Sequence, residues 1–303
     1  MRKQRAGLEA AGQDRRRNGT FAVRLHVIDS AAKRPMMRGR LIAASSALAD
    51  PPRRARSAAW LRVPYEHVVF YGLLAIFGLS CLLWSVLAAI LYRVLPRRLG
   101  EPLGQRVIMA GFRCLIAAMR TTGIIECDLG ELDSLARDEP LVIAPNHPSL
   151  LDAALVMSRL PNLVCAAKAE IWDNVFLGGS ARLAGFVRND APARLIGDAV
   201  RQVRSGRHFL IFPEGTRSIG DTVGKFKGGF ALIAKRAGVP VQTVFIETTS
   251  RYLAKGWPLL RKPRFPLVYR VRLGRRMPID GDVHEIVAEL HTYYRQELGE
   301  HGP

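Results

Sequence analysis

The chain has 303 residues, 49% of them hydrophobic, and a formal charge of +19, which is room for one sizeable catalytic domain with appendages and an unusual balance for a freely soluble enzyme. Its four cysteines, Cys81, Cys114, Cys127 and Cys165, lie far apart with no C-x-x-C pair, so neither a zinc site nor a disulfide framework is expected to organise it. The positive charge favours anionic partners, a phospholipid surface or nucleic acid.

Residues 1–62 carry fifteen basic side chains against four acidic ones, a net +11 of the total. They mix Arg, Ala, Gly and Pro without a sustained period, and a disordered basic extension is expected there. No aromatic interleaving accompanies the arginines, so no nucleic-acid partner is expected. The first long apolar run lies too far in for a secretory signal.

That run is Val68 to Tyr92, twenty-five residues with no charged side chain. As a helix it reaches about 37 Å, enough for a hydrocarbon core of ~30 Å. Arg53, Arg54, Arg56 and Arg62 precede it, and Arg93, Arg97, Arg98 and Arg106 follow it. Basic residues at both ends conflict with simple spanning, and a helix that dips in and returns would keep both ends in the cytoplasm. The next segment, 103–121, supplies an apolar face (Val107, Ile108, Phe112, Leu115, Ile116, Met119) beside an arginine stripe at positions 106, 113 and 120. Such a helix suits an anionic headgroup layer. Residues 63–122 are therefore expected to be membrane-associated.

Over 123–303, apolar runs alternate with helical patterns. Strands are predicted at Ile124–Asp128, Leu141–Ala144, Leu163–Ala167, Gly185–Arg188, Phe209–Pro213, Pro240–Ile246 and Val268–Leu273. Helices are predicted near 149–159, 192–205, 227–237 and 283–298. This order argues an α/β domain with a mostly parallel sheet flanked by helices.

The chemistry concentrates at three places. Asn146-His147-Pro148-Ser149-Leu150-Leu151-Asp152 puts an imidazole and a carboxylate five apart where a strand gives way to a helix. Asp152, about one turn in, can fold back onto one ring nitrogen and leave the other free to take a proton. A capped helix start is the plainer alternative. Gly185 to Arg188 places a guanidinium at a strand end, suited to a phosphate. In Phe212-Pro213-Glu214-Gly215-Thr216-Arg217-Ser218 a carboxylate is expected to point out of the sheet edge, Gly215 allows close backbone approach, and Thr216 and Arg217 offer donors. Phe226-Lys227-Gly228-Gly229 then opens a helix whose amides favour an anion.

Together these blocks resemble the PlsC-type glycerolipid acyltransferases, the family of 1-acyl-sn-glycerol-3-phosphate acyltransferases, over roughly residues 120–275. Asn146 to Asp152 is similar to the family's N-H-x4-D block and Gly185 to Arg188 falls where its arginine-bearing block belongs. Phe212 to Ser218 reproduces its F-P-E-G-T-R-S block, and Phe226 to Gly229 and Gly238 to Val241 fit the blocks that follow.

The resemblance implies transfer of a fatty acyl group from acyl-CoA or acyl carrier protein to the hydroxyl of a lysophospholipid, with phosphatidate the expected product. It implies His147 as base and Asp152 as its partner. Arg188, Glu214, Gly215, Thr216, Arg217 and Lys227 would hold the acceptor, and amides near the start of the 149 helix would hold the oxyanion. No metal or other cofactor is implied. The cytoplasmic (inner) membrane, with the catalytic domain facing the cytoplasm, is the expected location. Pro148 and Leu150 depart from the polar or aromatic residues of many members, and the second block is compressed, both on the acceptor side. An acceptor such as a lyso-ornithine lipid or a specialised-metabolite lipid, or a non-catalytic lipid-binding protein, are the other readings.

Overall fold

The structure, a computed structural model, describes residues 59–218 and 223–299. The expectation for residues 1–58 of the basic extension lies outside the described residues.

The apolar run becomes one unbroken helix, α1 (Ala59–Val94), and the return is made by α2 (Arg97–Thr121) after a break at Leu95-Pro96. The two run antiparallel. The Tyr65 hydroxyl near the start of α1 donates to the Thr122 carbonyl at the end of α2 (3.2 Å), and Phe77 and Phe112 meet at 6.1 Å between ring centroids. Residues Leu61–Val94 are long and apolar enough to cross a membrane, with a mean hydropathy of 2.4.

One side of α1 rests on the rest of the protein. Phe70 is buried against Tyr252 and Phe265, at 5.9 and 6.0 Å, and fifteen residues on Ser85 is buried against Gly179, whose N–H donates to the serine oxygen (3.0 Å). The other side is an exposed apolar stripe at helical spacing that includes Val68, Ile76, Leu79, Leu83, Val86 and Ile90.

The sheet follows: β1 (Ile125–Asp128), β2 (Val142–Pro145), β3 (Leu163–Ala167), β4 (Val187–Arg188), β5 (His208–Leu210), β6 (Val241–Thr248) and β7 (Leu267–Met277), in the spatial order β1-β7-β6-β2-β5-β3-β4. The five strands from β6 to β4 are mutually parallel, β7 is antiparallel to β6, and β1 is parallel to β7. The mostly parallel α/β sheet read from the sequence is the fold observed. The central strands are buried on both faces, as their unbroken apolar runs require.

On one face, Ile143, Leu210, Val244 and Ile246 pack with residues of α1, α2 and α3 (Leu151–Met157). On the other, Val142, Val164, Phe209 and Phe245 pack with α6 (Pro192–Arg204), α7 (Gly229–Ala237) and α8 (Val283–Glu297). Asp282 caps α8 by accepting the His284 and Glu285 N–H groups (2.7 and 3.3 Å).

Several boundaries differ from the sequence reading. β5 stops at Leu210 rather than Pro213, because Pro213 has no N–H for the ladder and Phe212 has turned onto His147. Gly185 and Phe186 are not strand: Gly185, at φ +70°, ends a helix the sequence reading lacked, α5 (Gly178–Leu183). Also absent from that reading are α4 (Ala169–Trp172) and a 3-10 helix, Gly130–Arg137, which buries Leu132 and Leu135 three apart.

Candidate active site

Because five strands are parallel, their carboxyl ends share one edge of the sheet, the usual place for a ligand crevice in an open α/β sheet. The segments bearing His147, Glu214–Arg217 and Arg188 all leave β2, β5 and β4 at that edge.

At the end of β2 the Asn146 side chain stands in for a peptide group. Its amide donates to the Ile246 carbonyl (2.9 Å) and its oxygen accepts the Ile246 N–H (2.7 Å). The pairing with β6 thus continues up to the next residue, His147. From below, the buried Tyr294 hydroxyl of α8 donates to the Ala144 carbonyl and accepts the Val244 N–H (3.1 Å). A buried hydroxyl and amide placed this way fix the strand ends, since leaving either unpaired would be costly.

His147 Nδ1 lies 2.9 Å from Asp152 Oδ2, and the Ser149 N–H donates to the same oxygen (2.7 Å). Asp152 is 0% exposed. Burial pushes its carboxyl up to about 6, against the lowering by the His147 hydrogen bond and charge and the Ser149 amide. With Nδ1 donating to the carboxylate, Nε2 carries the lone pair, and it has no hydrogen-bond partner among the described residues. The ring is 13% exposed and stacks on Phe212 at 3.7 Å between centroids and 16° between planes. Stacking and the Asp152 bond together leave the imidazole a single orientation.

Glu214 does not point out of the sheet edge. It is 3% exposed, and its carboxylate accepts from the His147 N–H (3.0 Å), the Ser218 hydroxyl (2.9 and 2.8 Å) and the Gly224 N–H (2.8 Å). Held by three donors and almost wholly buried, it ties the histidine loop to the glycine loop rather than reaching out to an acceptor. Glu214→Gln is expected to set an amide against buried N–H donors, costing about 1–3 kcal/mol. That is a fall in Tm of roughly 2–12 °C for a body of this size, with acyl transfer lowered alongside. A raised acceptor KM at unchanged Tm would instead return Glu214 to substrate binding.

The amides near the start of the 149 helix are likewise engaged. Ser149 N–H goes to Asp152, Leu150 N–H to the Leu253 carbonyl, Leu151 N–H to the Ser149 hydroxyl and Asp152 N–H to the Ser149 carbonyl. The expectation that they hold an oxyanion is overturned, because Ser149, Asp152 and the Leu253 carbonyl already take these donors. In the facing loop the Thr216 and Arg217 amides carry no acceptor among the described residues.

Gly215 sits at φ +68°, and a Cβ there would come within 2.9 Å of Lys227 Nζ, so the lysine lies across bare backbone. Its ammonium has no acceptor among the described residues. Arg217 Nη1 donates to the Leu253 and Ala254 carbonyls (2.8 and 3.1 Å), leaving its other guanidinium hydrogens unassigned. Thr216 is half-buried beside them. Arg188 is the outlier. It stands three strand spacings from β2, about 14 Å, and its guanidinium pairs with Asp190 (2.5 Å) and Asp173 (3.5 Å). His147, Gly215, Thr216, Arg217 and Lys227 are thus grouped in facing loops with Asp152 behind them in the first turn of α3, and Arg188 is set apart on the same edge.

The sequence reading missed the stacking partner Phe212, the strand-end brace Tyr294 and the segment 252–254, whose carbonyls hold Ser149, Leu150 and Arg217. An aromatic directly before Pro-Glu was the available signal for the first. Nothing local marks the other two.

Comparison with known proteins places the chain among lipid acyltransferases. The Acyltransferase family model matches residues 127–247. A 1-acyl-sn-glycerol-3-phosphate acyltransferase of Pseudomonas aeruginosa is 26% identical over 230 residues, 74% of this chain and 85% of that protein. A lyso-ornithine lipid O-acyltransferase of the same organism is 35% identical over 113 residues, 36% of this chain and 43% of that protein. The crystal structure of the 1-acyl-sn-glycerophosphate acyltransferase PlsC from Thermotoga maritima shares the fold, with a TM-score of 0.59 at 20% identity over 80% of this chain and 98% of that one.

Proposed function

The chain belongs to the PlsC-type glycerolipid acyltransferases and is an O-acyltransferase, and on that premise we propose that it acylates 1-acyl-sn-glycerol-3-phosphate to phosphatidate. The observation that carries the reading is the His147 Nδ1 to Asp152 bond of 2.9 Å, set opposite a glycine loop that offers the Lys227 ammonium and the Arg217 guanidinium.

In the proposed reaction Nε2 of His147 takes the proton of the acceptor hydroxyl as that oxygen attacks the thioester carbonyl of acyl-CoA or acyl carrier protein. A bond forms from oxygen to the acyl carbon, and the imidazolium is held by the Asp152 carboxylate. Collapse of the tetrahedral intermediate breaks the carbon–sulfur bond, and the thiolate recovers the proton from the imidazolium. The unengaged Thr216 and Arg217 donors are the candidates to meet the developing oxyanion. Lys227 and Arg217 would pair with the acceptor phosphate, with Arg188 as an outer cation. A thioester is already an activated acyl donor, so the proposed chemistry calls for no further cofactor.

The reaction belongs at a membrane surface, where α1 would place it, and the cytoplasmic (inner) membrane with the domain facing the cytoplasm is the proposed setting. Both donors are made on that side.

The identity to a lyso-ornithine lipid O-acyltransferase favours a second acceptor class. An acceptor panel analysed by mass spectrometry of the lipid product separates the two. Phosphatidate as the dominant product is expected. A preference of tenfold or more for a phosphate-free lysolipid would remove the role given to Lys227 and Arg217.

A further inference from the structure

We propose that the segment Arg251–Arg264, Arg-Tyr-Leu-Ala-Lys-Gly-Trp-Pro-Leu-Leu-Arg-Lys-Pro-Arg, is a second membrane attachment, seated in the headgroup layer of an anionic phospholipid leaflet. The inference rests on the membrane association of α1 and not on the acyl-transfer reaction.

The segment holds five basic residues and no acidic one. A turn forms at its middle. The Trp257 indole N–H donates to the Arg261 carbonyl (3.0 Å), and the Arg261 guanidinium lies 5.1 Å from the indole centroid. This closure drives Leu259 and Leu260 to the tip, 53% and 66% exposed. Single exposed leucines are ordinary on a protein surface. Two in succession, framed by a tryptophan and by exposed Lys255, Arg261 and Arg264, form an apolar wedge in a basic collar, the composition favoured at a bilayer interface.

The tip is also continuous with the membrane helix. The Tyr71 hydroxyl of α1 donates to the Leu260 carbonyl (3.0 Å), Lys262 pairs with Glu66 (2.8 Å), and Arg62 donates to the Phe265 carbonyl (3.4 Å). Leu259 and Leu260 are therefore fixed beside the exposed apolar stripe of α1 rather than on a free-standing loop. Charge complementarity and this continuity select lipid as the occupant. The other end of the segment holds the active-site loops. The Tyr252 carbonyl accepts the Ser149 hydroxyl (2.9 Å), and the Leu253 carbonyl accepts Leu150 N–H and Arg217. One continuous piece of chain thus joins the lipid surface to the loop that carries His147.

The test uses the full chain with Cys81, Cys114, Cys127 and Cys165 replaced by alanine, reconstituted in vesicles. A single Leu260→Cys is labelled with an environment-sensitive fluorophore. Ile76→Cys in the stripe of α1 is the membrane reference, and Glu285→Cys, exposed on α8 across the sheet, is the solvent reference. In vesicles containing half anionic phosphatidylglycerol, the label at 260 is expected to be quenched by doxyl-labelled lipid to at least half the extent seen at 76. Its iodide quenching should be severalfold weaker than at 285. Arg261→Glu with Arg264→Glu should restore iodide access. Iodide quenching at 260 equal to that at 285 would overturn the proposal, as would protection from both quenchers, which would mean a protein covers the tip. Transfer from labelled acyl-CoA on the same vesicles reports separately on the proposed reaction.

Discussion

His147→Ala is expected to lower acyl transfer by about 10³-fold or more while membrane partition stays close to that of the parent and Tm falls by roughly 2–12 °C, the cost of leaving the buried Asp152 without its ring partner. A positioned general base contributes typically ~10²–10⁴ in rate, and a thousandfold loss corresponds to about 4 kcal/mol of barrier. No other described side chain is placed to replace the imidazole. Asp152 is fully buried behind it, and Glu214 is closed off by its own hydrogen bonds. The fold should survive, because the ring contributes one stacking contact and one hydrogen bond. The backbone N–H of residue 147 keeps its bond to Glu214 whatever the side chain. Scintillation counting of labelled phospholipid, paired with thermal melting of the same preparation, checks both halves.

Asp152→Asn has the second largest expected effect, and its sign differs between rate and stability. Burial raises the carboxyl to about 6, above the ~3.9 of an unfolded chain, so the folded state holds this proton more tightly than the unfolded one. Below about pH 4 both states are protonated and the group imposes no penalty. Between about pH 4 and 6 the unfolded carboxylate ionises first, and this group's contribution to stability falls by roughly 3 kcal/mol before levelling off. The asparagine variant escapes that penalty and should melt no lower than the parent at pH 7, despite its weaker bond to Ser149 N–H. Its rate should nevertheless drop by about 10²–10⁴, because a neutral amide neither supports an imidazolium nor fixes the tautomer. In the parent, acyl transfer should decline below about pH 6 as Asp152 takes up a proton. A melting difference that does not grow from pH 4 to 6 would contradict the buried-charge account.

Much of this was legible in the sequence where one local physical rule sufficed. Leu141–Ala144 and Leu163–Ala167 read as buried strands because a parallel sheet covered on both faces needs unbroken apolar runs. His147 and Asp152 read as partners because five residues across a strand-to-helix turn bring them within reach. Glu214 shows where such reasoning ends. Its place in the motif was evident, but its use depends on Ser218 and Gly224, and the Gly224 amide lies ten residues away across a loop. The same holds for the amides of residues 149–152, free in any linear reading and consumed once the loop closes. The short helices α4 and α5 carry too few turns to show an apolar face, and α5 opens on the small residues Gly178-Gly179-Ser180-Ala181. The segment 251–264 has no period at all, and its importance comes from what it touches at each end.

The most direct measurement is single-turnover transfer of a radiolabelled acyl group from acyl-CoA to lysophosphatidate by the reconstituted chain, parent beside His147→Ala, with donor binding confirmed equal in both. Label appearing in phosphatidate with the parent, and falling by three orders of magnitude in the variant, is the predicted result. Equal transfer by the two proteins, or release of the label only as free fatty acid, would contradict the assignment of this imidazole as the base that activates a lipid hydroxyl.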